Sequence, residues 1–184
     1  MRRVEEILRK VCGFLNEKGI TYAIVGGFAV IFHGVPRTTM DIDMVIQLSE
    51  GDVPVLVEFL RREGFYANME DMLAALKEGS HCTVEDRETM FRLDIKGVYT
   101  EMDRAALKNR VKFTLGGVDV YVASPEDTIA GKLLFGSERD LEDALGIYVR
   151  QFEVLDMEYL EAVCRKLGIH SALEELRRKY RGGG

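Results

Sequence analysis

Val25-Gly26-Gly27-Phe28-Ala29-Val30, followed by Arg37-Thr38-Thr39-Met40-Asp41-Ile42-Asp43-Met44-Val45-Ile46, is the most informative part of this chain. It predicts a strand, a Gly-Gly turn, a short helix, and a second strand that opens with two carboxylates. Side chains alternate faces along a strand, so Asp41 and Asp43 project from the same face. Two like charges held that close repel unless a cation or a proton lies between them. Hard divalent ions take oxygen ligands of this kind, often with phosphates completing the shell. Upstream, Gly26 and Gly27 let the backbone approach a ligand closely, and the helix after them offers unpaired N–H groups. The expected site is therefore a metal and phosphate site.

Further along, Leu93-Asp94-Ile95 sets a single acid inside the apolar strand pattern Met90-Phe91-Arg92-Leu93-Asp94-Ile95-Lys96-Gly97. The combination resembles the nucleotidyltransferase superfamily that includes DNA polymerase beta. Its signature is an apolar strand ending in Gly-Gly or Gly-Ser, a short spacer, Asp-x-Asp in a second strand, and a third acid on a later one. The resemblance spans residues 20–150 and is nearest to the minimal and abortive-infection (AbiEii-like) toxin branch.

The resemblance implies an α/β (α+β) fold: a mixed-sheet core with helices on one face over residues 1–123, and a helical C-terminal segment over 124–184. It implies that Asp41, Asp43 and Asp94 are both the catalytic residues and the ligands of Mg2+ or Mn2+. Gly26 and Gly27 would cradle the triphosphate of an NTP. Arg37 and Thr38 stand just before the acids, where related enzymes often carry Arg-x-Thr-x-Asp-x-Asp, and the planar fork of arginine suits phosphate oxygens. Lys132, followed by Arg139-Asp140-Leu141-Glu142-Asp143, matches a Lys-then-Arg-Asp-x-x-Asp stretch whose lysine is expected to reach the nucleotide's phosphates. His33 is expected to be structural.

The expected activity is transfer of a nucleoside monophosphate from an NTP to a hydroxyl, on a tRNA end, a protein or a small hydroxylated molecule. An antitoxin partner or a homodimer fits this picture. The competing reading is a nucleotide-binding regulatory module without turnover, such as an antitoxin, and the intact trio of acids counts against it.

Composition sets outer limits. The chain has 184 residues, 47% of them apolar, enough for one substantial core. No run approaches a membrane span, and Met1-Arg2-Arg3-Val4-Glu5-Glu6 lacks a signal peptide's apolar stretch, so a cytoplasmic protein is expected. The net charge of −6 argues against a broad nucleic-acid surface, though it leaves room for a local basic groove. Cys12, Cys82 and Cys164 are too few and too scattered for a disulfide framework or a zinc site.

Periodicity predicts helices over residues 2–17, 28–33 and 69–77, and another running from a Ser49 cap to Arg62. Strands are expected over 20–25, 41–48 and 65–68, with one hairpin over 81–86 and 89–96. A second hairpin turns at Gly116-Gly117 between 111–115 and 118–122. Ser124-Pro125 opens a wholly helical remainder, broken near Gly136, Asp156 and Gly168, with a frayed end at Gly182-Gly183-Gly184.

Overall fold

The computed structural model describes residues 3–182. Its elements are α1 (Val4–Glu17), β1 (Tyr22–Ile24), α2 (Gly26–Phe32), β2 (Asp41–Ile46), α3 (Val53–Arg62), β3 (Phe65–Tyr66), α4 (Met69–Glu78), β4 (His81–Asp86) and β5 (Arg92–Lys96). They continue with α5 (Glu101–Lys108), β6 (Val111–Leu115), β7 (Val118–Val122), α6 (Pro125–Phe135), α7 (Glu138–Gln151), α8 (Met157–Lys166) and α9 (His170–Gly182).

The strands form one mixed sheet in the order β3-β4-β5-β2-β1-β7-β6. β2 runs antiparallel to β1 but parallel to β5, which brings the two acid-bearing strands side by side at the centre. Period two then sorts the residues. Ile42, Met44 and Ile46 of β2, with Leu93 and Ile95 of β5, face a core closed by Ile7, Val11 and Leu15 of α1, Leu56 and Leu60 of α3, and Met72 of α4. Asp41, Asp43 and Asp94 occupy the alternate positions, so they project from the opposite face.

That opposite face also carries a small cluster of Ala23, Val45, Ala106, Leu107 and Ala123, where α5 packs on the sheet. A third cluster joins Val30 of α2 to α6–α9 through residues such as Ile129, Ile147, Leu160 and Leu173. The C-terminal helices are thereby fastened beside the helix that follows the Gly-Gly pair.

Several local expectations shift. The helix expected from Phe28 starts at Gly26, so the Gly-Gly pair is its first turn and not a separate loop. α5 was absent from the sequence reading; Thr100 and Asp103 form a reciprocal capping box at its start. Ser49 does not cap α3. Its backbone N–H and hydroxyl both donate to Asp52 in a turn, and the helix begins at Val53. The Gly116-Gly117 turn stands as expected, both glycines at positive φ as a tight hairpin requires. The expected frayed end lies, for Gly183 and Gly184, outside the described residues.

Candidate active site

β2 and β5 pair in register, with Asp43 opposite Asp94 and Asp41 opposite Arg92. Neighbouring strands lie about 4.8 Å apart, so Asp43 and Asp94 stand side by side while Asp41 stands two residues along the same face. Burial is the largest influence on Asp43. With the charges of Asp94 and Asp41 it lifts the Asp43 carboxyl to about 6, although the Gly27 N–H and Lys132 pull the other way.

Gly26 explains how the carboxylate fits. Its φ of +61° is a left-handed conformation, and a Cβ there would lie 2.1 Å from Asp43 Oδ2. The glycine pair thus makes room for an aspartate, and one amide that the sequence assigned to phosphate, that of Gly27, steadies Asp43 instead. Gly27 itself is close-packed: an added Cβ would lie 3.2 Å from Arg37 Nε and from Thr39.

The other two acids have partners the sequence reading did not name. Arg92 donates to Asp41, and the Thr83 hydroxyl of β4 donates to Asp94 at 2.6 Å. Arg92 lies two residues before Asp94, so strand alternation puts it on the acid face. Thr83 follows from the β4–β5 register, which opposes it to Asp94.

Arg37 and Lys132 converge on one carboxylate. Arg37 donates to Asp143, and Lys132 reaches Asp140 at 2.6 Å and Asp143 at 3.1 Å. Only 14% of the Arg37 side chain and 10% of that of Lys132 are exposed, so these pairs are largely shielded from water. Burial opposes the charge on Asp140, yet hydrogen bonds from Lys132 and Ser137 outweigh it and hold the carboxyl below its ordinary value. The Nε of Arg37 is buried with no hydrogen-bond partner among the described residues.

Thr38 is not brought to the site. It is exposed, and its carbonyl accepts from Arg139 at 2.6 Å. Thr39 lines the cleft in its place. The chain from Arg37 to Asp43 alternates between more and less exposed positions, as extended backbone does, so Arg37, Thr39, Asp41 and Asp43 share a side and Thr38 falls on the other. His33 is buried and out of the cleft. Burial lowers its basicity, and Nε2 lies 2.8 Å from the Ala123 carbonyl, a structural contact.

These groups open into one cleft of about 820 Å3, floored by Gly26, Gly27, Asp41, Asp43 and Asp94 and walled by α5, α6 and α8. On the α8 side the Asn109 amide donates to Asp127 at 3.0 Å and to the Tyr159 hydroxyl at 2.8 Å, and Tyr159 donates to Asp127 at 2.7 Å. That trio ties α5, α6 and α8 together. Two lysines of the cleft are also matched by acids, Lys96 by Asp103 at 2.8 Å and Lys166 by Glu101 at 2.7 Å.

Can these residues hold a divalent ion? Among the described residues no three His, Cys, Asp or Glu groups are gathered into a ready-made metal cluster. Asp41 is turned to Arg92 and Asp94 to Thr83. The donor set nevertheless fits. A half-buried carboxylate flanked by two others, with its proton affinity raised by desolvation and by their charges, is relieved by a hard cation placed among the three.

Comparison with known proteins places the chain in a family. Residues 2–181 match the model of a family described as "nucleotidyltransferase of unknown function (DUF6036)". The chain belongs to that family. It is therefore an enzyme of the nucleotidyltransferase type. Among curated proteins none matches its sequence.

Solved structures share the fold at low identity. An antigenic nucleotidyltransferase-like protein from Paracoccidioides brasiliensis is 18% identical, with a TM-score of 0.56 over 92% of this chain and 91% of its own. ANT(2")-Ia, solved in complex with adenylyl-2"-tobramycin, is 14% identical, with a TM-score of 0.59 over 89% and 95%. The lincosamide antibiotic adenylyltransferase LnuA, lincomycin-bound, is 17% identical, with a TM-score of 0.50 over 74% and 91%. No described helix is long and apolar enough to cross a membrane.

Proposed function

We propose that this nucleotidyltransferase moves a nucleoside monophosphate from an NTP to the hydroxyl of a small molecule, using Mg2+ or Mn2+ held by Asp41, Asp43 and Asp94. The observation that carries the reading is the in-register pairing of Asp43 with Asp94, beside Asp41, over the Gly26-Gly27 turn of helix. A divalent ion bound there would neutralise charge on the phosphates and bring donor and acceptor oxygens together.

The chain's own residues do the rest. Arg37 and Lys132 bind the β- and γ-phosphates, exchanging part of their contact with Asp143 for phosphate oxygens; the unpartnered Nε of Arg37 is ready to donate. Asp94, with one oxygen occupied by Thr83, uses the other to take the acceptor hydroxyl's proton. The acceptor oxygen then bonds to the α-phosphorus as the bond to the bridging oxygen breaks, and pyrophosphate leaves. Most of the rate comes from holding these groups in line and excluding water.

A small acceptor is favoured over a tRNA end by the cleft itself. Its volume lies in the range of small-molecule sites. Its cations Arg37, Lys96, Lys132 and Lys166 each face a carboxylate, which leaves no open basic track for an RNA backbone. Two structural neighbours were solved with an antibiotic or its adenylyl derivative bound. A toxin role with an antitoxin partner rests only on the sequence resemblance around Lys132 and residues 139–143, and the reaction does not need it.

The test is pyrophosphate release from each NTP in the presence of Mg2+ and a panel of hydroxylated small molecules, total tRNA, or protein alone. Release that needs one small acceptor, and that disappears in the Asp41→Ala/Asp43→Ala double variant, supports the reading. Release that needs tRNA or protein instead overturns the acceptor assignment, and release that survives the double variant overturns the site.

A further inference from the structure

The last residue of α6, Phe135, is 80% exposed, yet it lines the same cleft as the three acids. Other exposed aromatic rings have partners: Phe152 stacks on Tyr180, and Tyr66 lies under the Arg87 guanidinium. Among the described residues Phe135 makes no ring–ring or cation–π contact. A phenyl ring left in water forgoes the gain of burial, which makes an unpartnered ring at a cleft mouth an informative feature.

Its place on the helix gives the ring a role. Lys132, the cation assigned above to the phosphates, is three residues earlier on α6, about 4.5 Å along the axis and on a neighbouring strip of helix surface. Gly136 ends the helix at φ +69°, so Phe135 stands at the rim and not under a further turn. Leu134, also partly exposed, adds an apolar edge on the same wall. A ligand whose phosphates meet Lys132 would bring whatever is attached to them past this rim.

We propose that Phe135 is a stacking platform for the base of the bound nucleotide. The proposal rests on the reading of the cleft as an NTP site. Stacking on an aromatic face tolerates any base, because each presents a π-face, so Phe135 supplies affinity with little selection among the bases.

The experiment is calorimetric titration of the full chain, without acceptor, with Mg2+ and each of ATP, GTP, CTP and UTP, and separately with Mg2+ and inorganic tripolyphosphate. The proteins are wild type, Phe135→Ala and Phe135→Trp. Because the ring buries little, thermal unfolding of both variants should match the wild type. The expected result is NTP affinity weakened about 5-fold or more in Phe135→Ala for all four nucleotides, recovered in Phe135→Trp, with tripolyphosphate affinity unchanged. Unchanged NTP affinity in Phe135→Ala overturns the proposal, as does an equal loss for tripolyphosphate. So does a change confined to the mass seen by light scattering, which would assign the ring to an interface between copies. Failure of wild type to bind any NTP removes the nucleotide reading itself, an outcome distinct from these.

Discussion

Replacing Asp43 with Asn should make the metal-free protein more stable at neutral pH while abolishing its activity. In the unfolded chain the Asp43 carboxyl ionises near 3.8, and in the folded protein near 6, because it is buried beside Asp94 and Asp41. Below about pH 4 it is protonated in both states and contributes nothing to pH dependence. As pH rises from 4 to 6 the unfolded chain releases its proton first, so folding stability declines, and above 6 the full penalty is present. The difference corresponds to about 3 kcal/mol. For a chain of this length that is roughly 6–12 °C in Tm.

Asparagine has nearly the same shape, can still accept from the Gly27 N–H and never ionises. The assay is thermal unfolding of wild type and Asp43→Asn in EDTA from pH 4 to pH 8. The two should coincide near pH 4 and diverge above 6, with the variant higher. Added Mg2+ and NTP should then raise the wild type and leave the variant where it is. A variant equal to or below wild type at pH 8 would refute the charge-repulsion argument.

Other substitutions probe the surroundings. Gly26→Ala should lose all detectable transfer and about 1–2 kcal/mol in urea denaturation, because a left-handed alanine is strained and its Cβ would displace the Asp43 carboxylate. Asp143→Ala strands Arg37, while Lys132 keeps Asp140, and should cost about 3 kcal/mol by the same measurement, part of it recovered on adding tripolyphosphate. Arg92→Ala should barely change Tm but tighten Mg2+ binding measured by calorimetry, since Asp41 no longer has a competing cation. Weaker Mg2+ binding in that variant would mean that Arg92 orients Asp41 for the metal.

Much of the acid cluster was legible because it depends on short-range rules. Asp41 and Asp43 share a face through strand alternation alone, and Leu93-Asp94-Ile95 marks a polar side chain on a buried strand. What escaped depends on pairing between distant segments. The Arg92–Asp41 contact exists only because β5 runs parallel to β2, and no local pattern states that; the hairpin of β4 with β5 was expected, but not the register that sets Thr83 opposite Asp94. Asp143 as a common counter-charge for Arg37 and Lys132 likewise needs α7 to return to the core.

Two omissions had signals in plain view. Thr100-Glu101-Met102-Asp103 is a capping box, but α5 is short and rich in charge, so few apolar residues are there to mark it. Thr39, not Thr38, was indicated by the same alternation that placed the aspartates. The Gly-Gly pair was recognised as a close approach, but what approaches Gly26 is the chain's own Asp43.

The most direct test of the central claim follows where each phosphorus goes. With the acceptor found by pyrophosphate release, Mg2+, and NTP labelled at either the α- or the γ-position, the α-label should move to the acceptor and the γ-label should leave as pyrophosphate. Both should stop in Asp41→Ala/Asp43→Ala. Transfer of the γ-label to the acceptor, or release of it as inorganic phosphate, would contradict nucleotidyl transfer at this site.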